Sequence, residues 1–266
     1  MIVLKALSIL VAALLAACAG VTGYACVLML RRPPLKLYRS RSAQPDFLPL
    51  DQIPARQLEL IVRQEDPNFY NHPGFDADGI RRAWQMNRRA GRIVCGGSTI
   101  TQQLAKNLYL RFTRSYFRKA VELVIALALE RRLGKDRILE LYVNIIYFGN
   151  GVYGLSDAAR FYFNKPARDL TLGQMVLLTI LPSAPTACNP IQHPEAFRRL
   201  RDRRLPLLAE KDPPLLSPDE AADIRARGAA CLDPELRAPD DFTRSYPQTV
   251  PMVNARFGPF ADGRGT

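Results

Sequence analysis

The chain has 266 residues, of which 48% are hydrophobic, and a formal net charge of +12, with an isoelectric point near 9.8. That apolar content is ordinary for a folded chain and excludes wholesale disorder, and the length admits one sizeable domain with an anchor and a tail. The positive balance calls for an anionic partner; nucleic acid, an acidic membrane surface and a phosphorylated substrate all meet it.

Between Lys5 and the Arg31-Arg32 pair, the run Ala6–Leu30 carries no charge. As a helix rising ~1.5 Å per residue it covers about 37 Å, enough to cross a hydrocarbon core of roughly 30 Å with some tilt. Ala17-Cys18-Ala19 has the small-residue pattern of a signal cleavage site, and Leu15-Ala16-Ala17-Cys18 that of a lipoprotein box. The apolar run continues through Val27-Leu28-Met29-Leu30, which favours an uncleaved anchor over residues 1–32. Lys5 precedes the span, whereas Arg31, Arg32, Lys36, Arg39 and Arg41 follow it. The positive-inside rule, taken alone, leaves the remainder in the cytoplasm.

Residues 33–50 contain Pro33, Pro34, Pro45 and Pro49 among scattered arginines and read as a stalk. Helical periodicity dominates residues 51–210, best in 116–133, where Phe117, Val121, Val124, Ile125, Ala128 and Leu129 form one stripe. Further helices are expected at 51–65, 78–91, 99–111, 134–144, 152–163 and 171–181, giving a mainly α domain. Residues 211–266 are rich in proline, with one short helix marked by Ser217 as N-cap, Pro218 at its first position and Glu220 at N3. Cys18 and Cys26 lie in the span; a Cys188–Cys231 disulfide is compatible with an oxidising compartment. With only His72 and His193 and no Cys-x-x-Cys, a zinc site is not expected.

Three segments carry chemistry. Glu65-Asp66 closes an amphipathic helix and opens into Pro67-Asn68-Phe69-Tyr70-Asn71-His72-Pro73-Gly74. A carboxylate partly desolvated there has the raised pKa that a general base needs, although on these residues alone a solvated acidic pair is the preferred reading. Gly96-Gly97-Ser98-Thr99-Ile100-Thr101-Gln102-Gln103 sets a capping box between Thr99 and Gln102, so a helix begins near Ile100. Its N-terminus is suited to anions, and Gln103 and Lys106 share a face beyond it. Arg118, Lys119 and Glu122 stand at i, i+3 and i+4 spacings, which fits either an intrahelical salt bridge or a clamp for phosphate oxygens.

In this order the motifs resemble the peptidoglycan glycosyltransferases, in their monofunctional and bifunctional (class A penicillin-binding) forms. The resemblance rests on Glu65, Asp66, Phe69, His72 and Gly74; on Gly96 through Asn107; on Arg118, Lys119 and Glu122; and on Arg137-Ile138-Leu139-Glu140-Leu141-Tyr142-Val143-Asn144. It continues through Gly149, Gly151, Gly154, Ala158-Ala159 and Tyr162-Phe163 to Leu181-Pro182-Ser183-Ala184-Pro185 and Asn189-Pro190. The departures are Val143 for the usual leucine and Val94-Cys95 before the glycines. Neither removes a charged or hydroxyl group.

The resemblance implies a lysozyme-like, mainly α glycosyltransferase domain after one N-terminal transmembrane helix. It implies transfer of a lipid-diphosphate-linked glycan to the 4-hydroxyl of lipid II, with inversion at the anomeric carbon and release of polyprenyl diphosphate. Glu65 is then the general base. Lys106, Arg118 and Lys119 neutralise the diphosphate, and Glu122 orients them or assists a divalent cation, Mg2+ or Mn2+. Asp66, Ser98, Thr99, Gln103 and Asn107 bind substrate. The implied partners are lipid II, the nascent glycan strand, the cytoplasmic membrane and other cell-wall synthesis proteins, with no nucleic acid. The substrate places the domain on the periplasmic or extracellular face of a bacterial inner membrane, against the local charge count. Ile80-Arg81-Arg82-Ala83-Trp84, Arg88-Arg89 and Arg92-Ile93-Val94 suit a surface resting on anionic lipid. No Ser-x-x-Lys or Lys-Thr-Gly occurs, so a monofunctional chain is expected. The rivals are a glycan-cleaving muramidase or lytic transglycosylase, which needs no cation cluster, and an inactive membrane scaffold, which needs neither Glu65 nor Glu122.

Overall fold

The computed structural model describes residues 2–92, 96–110, 115–210 and 213–227. In chain order its helices are α1 (Ile2–Arg31), α2 (Pro34–Ser42), α3 (Ala55–Glu65), α4 (Ala77–Ala90), α5 (Ile100–Tyr109), α6 (Tyr116–Leu133), α7 (Lys135–Ile145), α8 (Leu155–Phe163), α9 (Leu172–Ile180), α10 (Pro194–Ala209) and α11 (Pro218–Arg227). The protein is mainly α, as expected; among the described residues the β pairing is a single antiparallel bridge, Tyr147 to Tyr153.

Two helices depart from the sequence reading. Residues 34–42, read as stalk, form α2, with proline at the position where a missing N–H costs a helix nothing. α10 was not anticipated. Its buried face includes Arg201 among Phe197, Leu200, Leu205 and Leu208, and Pro206 lies inside it, so both the apolar stripe and the helix signal are broken. Cys95, Cys231 and the tail beyond Arg227 lie outside the described residues, and with them the suggested Cys188–Cys231 pair and the junction Val94-Cys95.

The chain divides into two compact units. The first comprises Met1–Arg41 and Phe69–Leu139. Here α6 packs against both α5 and α1, burying Leu104, Leu108, Val121, Ile125 and Leu129. α1 is long and apolar enough to cross a membrane, and its apolar side chains Leu7, Ile9, Leu10, Leu14 and Leu15 are exposed. Its later turns touch protein: Ala25 and Met29 are buried, and the Tyr24 ring lies 5.8 Å from that of Phe117. Just past its end the Tyr109 hydroxyl donates to the Arg32 carbonyl at 2.8 Å.

The second unit comprises Ser42–Asn68 and Glu140–Thr266. α9 is its centre, packed by α3, α8 and α10 and buried along Met175–Ile180. Glu140 and Asn144 fasten the segment that leads into α3. Asn144 accepts from the Leu48 N–H and donates to its carbonyl, each at 2.8 Å, and Glu140 accepts from the Leu50 N–H at 3.0 Å. Two polar residues of the fourth motif therefore serve as backbone clips.

Candidate active site

The first unit assembles the cationic motif on α6. Ser115 caps the helix, its hydroxyl accepting from the Arg118 N–H at 3.1 Å, which starts α6 three residues before the charges. Glu122, one turn into the helix and only 2% exposed, accepts from Arg118 at 3.0 Å and from the Lys119 ammonium. Lys119 also donates to the Ser98 hydroxyl at 2.7 Å. A carboxylate buried without partners is heavily penalised, so Glu122 requires its two cations. The cluster carries one net positive charge, with the Lys119 side chain 44% exposed to receive an anion.

Ser98 owes its place to the start of α5. Thr99 and Gln102 form the expected capping box, at 3.0 and 3.1 Å. The buried Thr99 hydroxyl donates at 2.7 Å to the Gly74 carbonyl, so Thr99 faces inward and builds the helix start. Gln103, Lys106 and Asn107 are half-buried along α5.

Behind these groups runs a polar network that the sequence reading missed. Lys135 donates to the His72 carbonyl and to Glu130, both at 2.7 Å, and lies 4.5 Å from the centre of the Phe69 ring. Thr101 donates to the same Glu130 at 2.6 Å, and His72 Nδ1 accepts from the Gly74 N–H at 3.0 Å. The loop Phe69–Gly74 is thereby tied to α5, α6 and the start of α7. Glu130 and Lys135 are separated by a helix break at Gly134, which hid their pairing from any i, i+4 count.

Glu65 and Asp66 belong to the second unit, at the end of α3. Glu65 is the last helical residue and half-buried. Asp66 is buried and leaves the helix with φ −155° and ψ 76°, its N–H still bonded to the Val62 carbonyl at 2.7 Å. Tyr142 on α7 is fully buried nearby. Burial pushes its phenol well above the usual range, and the charges of Glu65 and Asp66 push it further. It stays a neutral phenol at any working pH, beside an acidic pair.

The sequence also allows Glu122 as a metal ligand. Both its oxygens accept from cations, and no group of three or more His, Cys, Asp or Glu suited to a metal occurs among the described residues. This donor set fits an ion-pair cluster and does not fit a resident divalent cation.

A family model described as Transglycosylase matches residues 34–209, a range that includes all the residues above. A putative transglycosylase of Cupriavidus necator is 43% identical over 164 residues, covering 62% of this chain and 69% of its own. The biosynthetic peptidoglycan transglycosylase of Ralstonia nicotianae is 47% identical over 139 residues, 52% of this chain and 59% of its own. Penicillin-binding protein 1F of Bacillus subtilis is 42% identical over 178 residues, 67% of this chain but only 25% of its own length.

Proposed function

The chain belongs to the transglycosylase family, and from that premise we propose that it is a peptidoglycan glycosyltransferase that polymerises lipid II into glycan strands. The observation that carries the reading is the cluster of Arg118, Lys119 and Ser98 around buried Glu122. A diphosphate leaving group gathers charge as its bond to the sugar breaks, and cations already held in place stabilise that charge without reorganising. Glycan hydrolysis releases no such group.

In this reading Glu65 takes the proton from the acceptor 4-hydroxyl, and the oxygen attacks the anomeric carbon from the face opposite the departing diphosphate. Arg118, Lys119 and Lys106 bind the diphosphate; Glu122 orients the first two. Ser98, Gln103, Asn107 and Asp66 hold the substrate, while Thr99 shapes the start of α5. A divalent cation, Mg2+ or Mn2+, enters with the diphosphate as part of the substrate.

α1 serves as the membrane anchor, with the remainder on the periplasmic or extracellular face where lipid II is presented. α4 would rest on the same membrane: Ile80, Trp84 and Met86 are about half exposed on it, with Arg88 5.3 Å from the Trp84 ring. Ile93 and Val94 lie outside the described residues. Other cell-wall synthesis proteins are the partners this reading implies.

Incubating the purified full chain with lipid II and Mg2+ should give long strands, and Glu65→Gln should reduce their formation by about 10²–10⁴-fold. Undiminished polymer from that variant would overturn the base assignment. Cleavage of preformed strands without polymerisation would overturn transfer itself. A reporter active only outside the cytoplasm, fused after α11, tests the orientation.

A further inference from the structure

The segment Pro213–Arg227 lies beyond the residues matched by the family model, yet it is built into the unit that carries Glu65. Leu215 and Leu216 are 0% and 1% exposed, and Ile224 is 3% exposed. The Leu215 N–H donates to the Leu208 carbonyl at 2.9 Å, and α11 packs on α10. Its start is fixed by the capping box, with the Ser217 N–H bonded to Glu220 at 2.7 Å and the Glu220 N–H to Ser217 at 3.1 Å.

This segment grips α3. Arg56, in the first turn of α3, donates to the Leu215 carbonyl, and Arg63, in the last turn, donates to the Pro213 carbonyl. Glu59 stands between them, paired with Arg56 at 2.9 Å and Arg63 at 3.7 Å. The two arginines are seven residues apart, two turns along one face, and the carbonyls they reach are two residues apart. Two bonds at separate heights fix both the axial position and the rotation of a helix; one bond would fix neither. α3 has need of it: its N-cap is Pro54, whose side chain makes no capping bond.

We propose that Pro213–Leu216, held by α11, is a positioning element that sets the rotation of α3 and so the direction in which Glu65 points. The inference rests on Glu65 as the general base. A base displaced by about 1 Å loses on the order of 10²-fold in rate. Arg56 and Arg63 are then positioning residues that act through Glu65 and touch no substrate.

The test uses the full chain in detergent, comparing wild type, Arg56→Gln with Arg63→Gln, Arg63→Gln alone, and Glu59→Gln, which keeps both carbonyl bonds. Hydrogen exchange of the α3 amides should speed by about tenfold in the double variant, with α5 and α6 unchanged. Its kcat for polymerisation should fall about tenfold with KM within twofold, and Glu59→Gln should match wild type in both. Should the double variant fail to fold, Arg63→Gln alone should show the same selective loosening at the C-terminal turn of α3. Wild-type exchange and kcat in the arginine variants, or equal loosening of every helix, would overturn the proposal. If wild type makes no polymer, the functional reading fails while the exchange comparison still decides whether the segment holds α3.

Discussion

The Lys119 ammonium donates to the Ser98 hydroxyl at 2.7 Å while pairing with Glu122, so the start of α5 and the second turn of α6 share one cation. Lys119 is thereby aimed before any substrate arrives. Replacing it with methionine should lower kcat/KM for lipid II by about 10²–10³-fold, the usual cost of removing one preorganised donor. Ser98→Ala, which leaves the cation but frees its direction, should cost less than Lys119→Met. A larger loss in Ser98→Ala would show that the hydroxyl acts on substrate directly.

Removing both cations should damage the fold as well. Arg118→Met with Lys119→Met strands a carboxylate that is 2% exposed, and losing the partners of a buried charge costs about 3–5 kcal/mol. Adding Glu122→Leu should recover most of that loss. Urea denaturation of the three proteins in one detergent measures it, and no recovery in the triple variant would contradict the electrostatic explanation.

Gln57 on α3 donates to the Thr179 hydroxyl on α9 at 3.0 Å, and Thr179 donates in turn to the Met175 carbonyl at 2.8 Å. Gln57 Oε1, fully buried, has no partner among the described residues. Thr179→Val should therefore cost roughly 1–3 kcal/mol, since the Gln57 amide loses the Thr179 acceptor. Thr179→Val with Gln57→Leu should be near neutral, because a matched apolar pair leaves no polar atom stranded. Thermal melting of the single and double variants distinguishes the two outcomes.

Asp76 caps α4, accepting from the Gly79 N–H at 2.9 Å and from Arg82 at 3.1 Å. Burial acts to raise its pKa, but the Gly79 N–H, the Arg82 charge, the Asp78 N–H and His72 together outweigh burial and hold the carboxyl below its ordinary value. A depressed acid contributes stability that is present above its unfolded pKa, near 3.9, and lost as pH falls through the lower folded value. Asp76→Asn keeps the cap. It should be less stable than wild type by roughly 0.5–1 kcal/mol at pH 7, the magnitude of a charge at a helix N-terminus. The difference should start to shrink below about pH 4 and close once pH falls through the lower folded value. A difference that persists undiminished at low pH would point to geometry in place of charge.

Much of this was legible in the sequence. The helix over 116–133 was read to the residue from its apolar repeat, although Phe117 of that stripe is 52% exposed and the buried face also takes Glu122 and Ala126. The capping boxes at Thr99 and Ser217 were read from side chains that bond only to neighbours three residues away. The cluster of Arg118, Lys119 and Glu122 was visible from spacing, but its link to Ser98 joins separate helices, and no periodicity reports that. The same holds for Lys135, whose partners His72, Phe69 and Glu130 come from separate elements. α10 escaped because a buried arginine and an internal proline occupy positions where an apolar stripe would be sought.

Gly74 adopts φ +118°, and a Cβ there would come within 3.1 Å of the Ala126 carbonyl group on α6, while its own carbonyl accepts from Thr99. The loop and α6 therefore meet backbone to backbone, with the Glu130 side chain as close as the carbonyl, at 3.1 Å. A saturation library at position 74 should return glycine alone under selection for a folded chain. This position is closed to adaptation, whereas the side chain of its neighbour Pro73 is exposed.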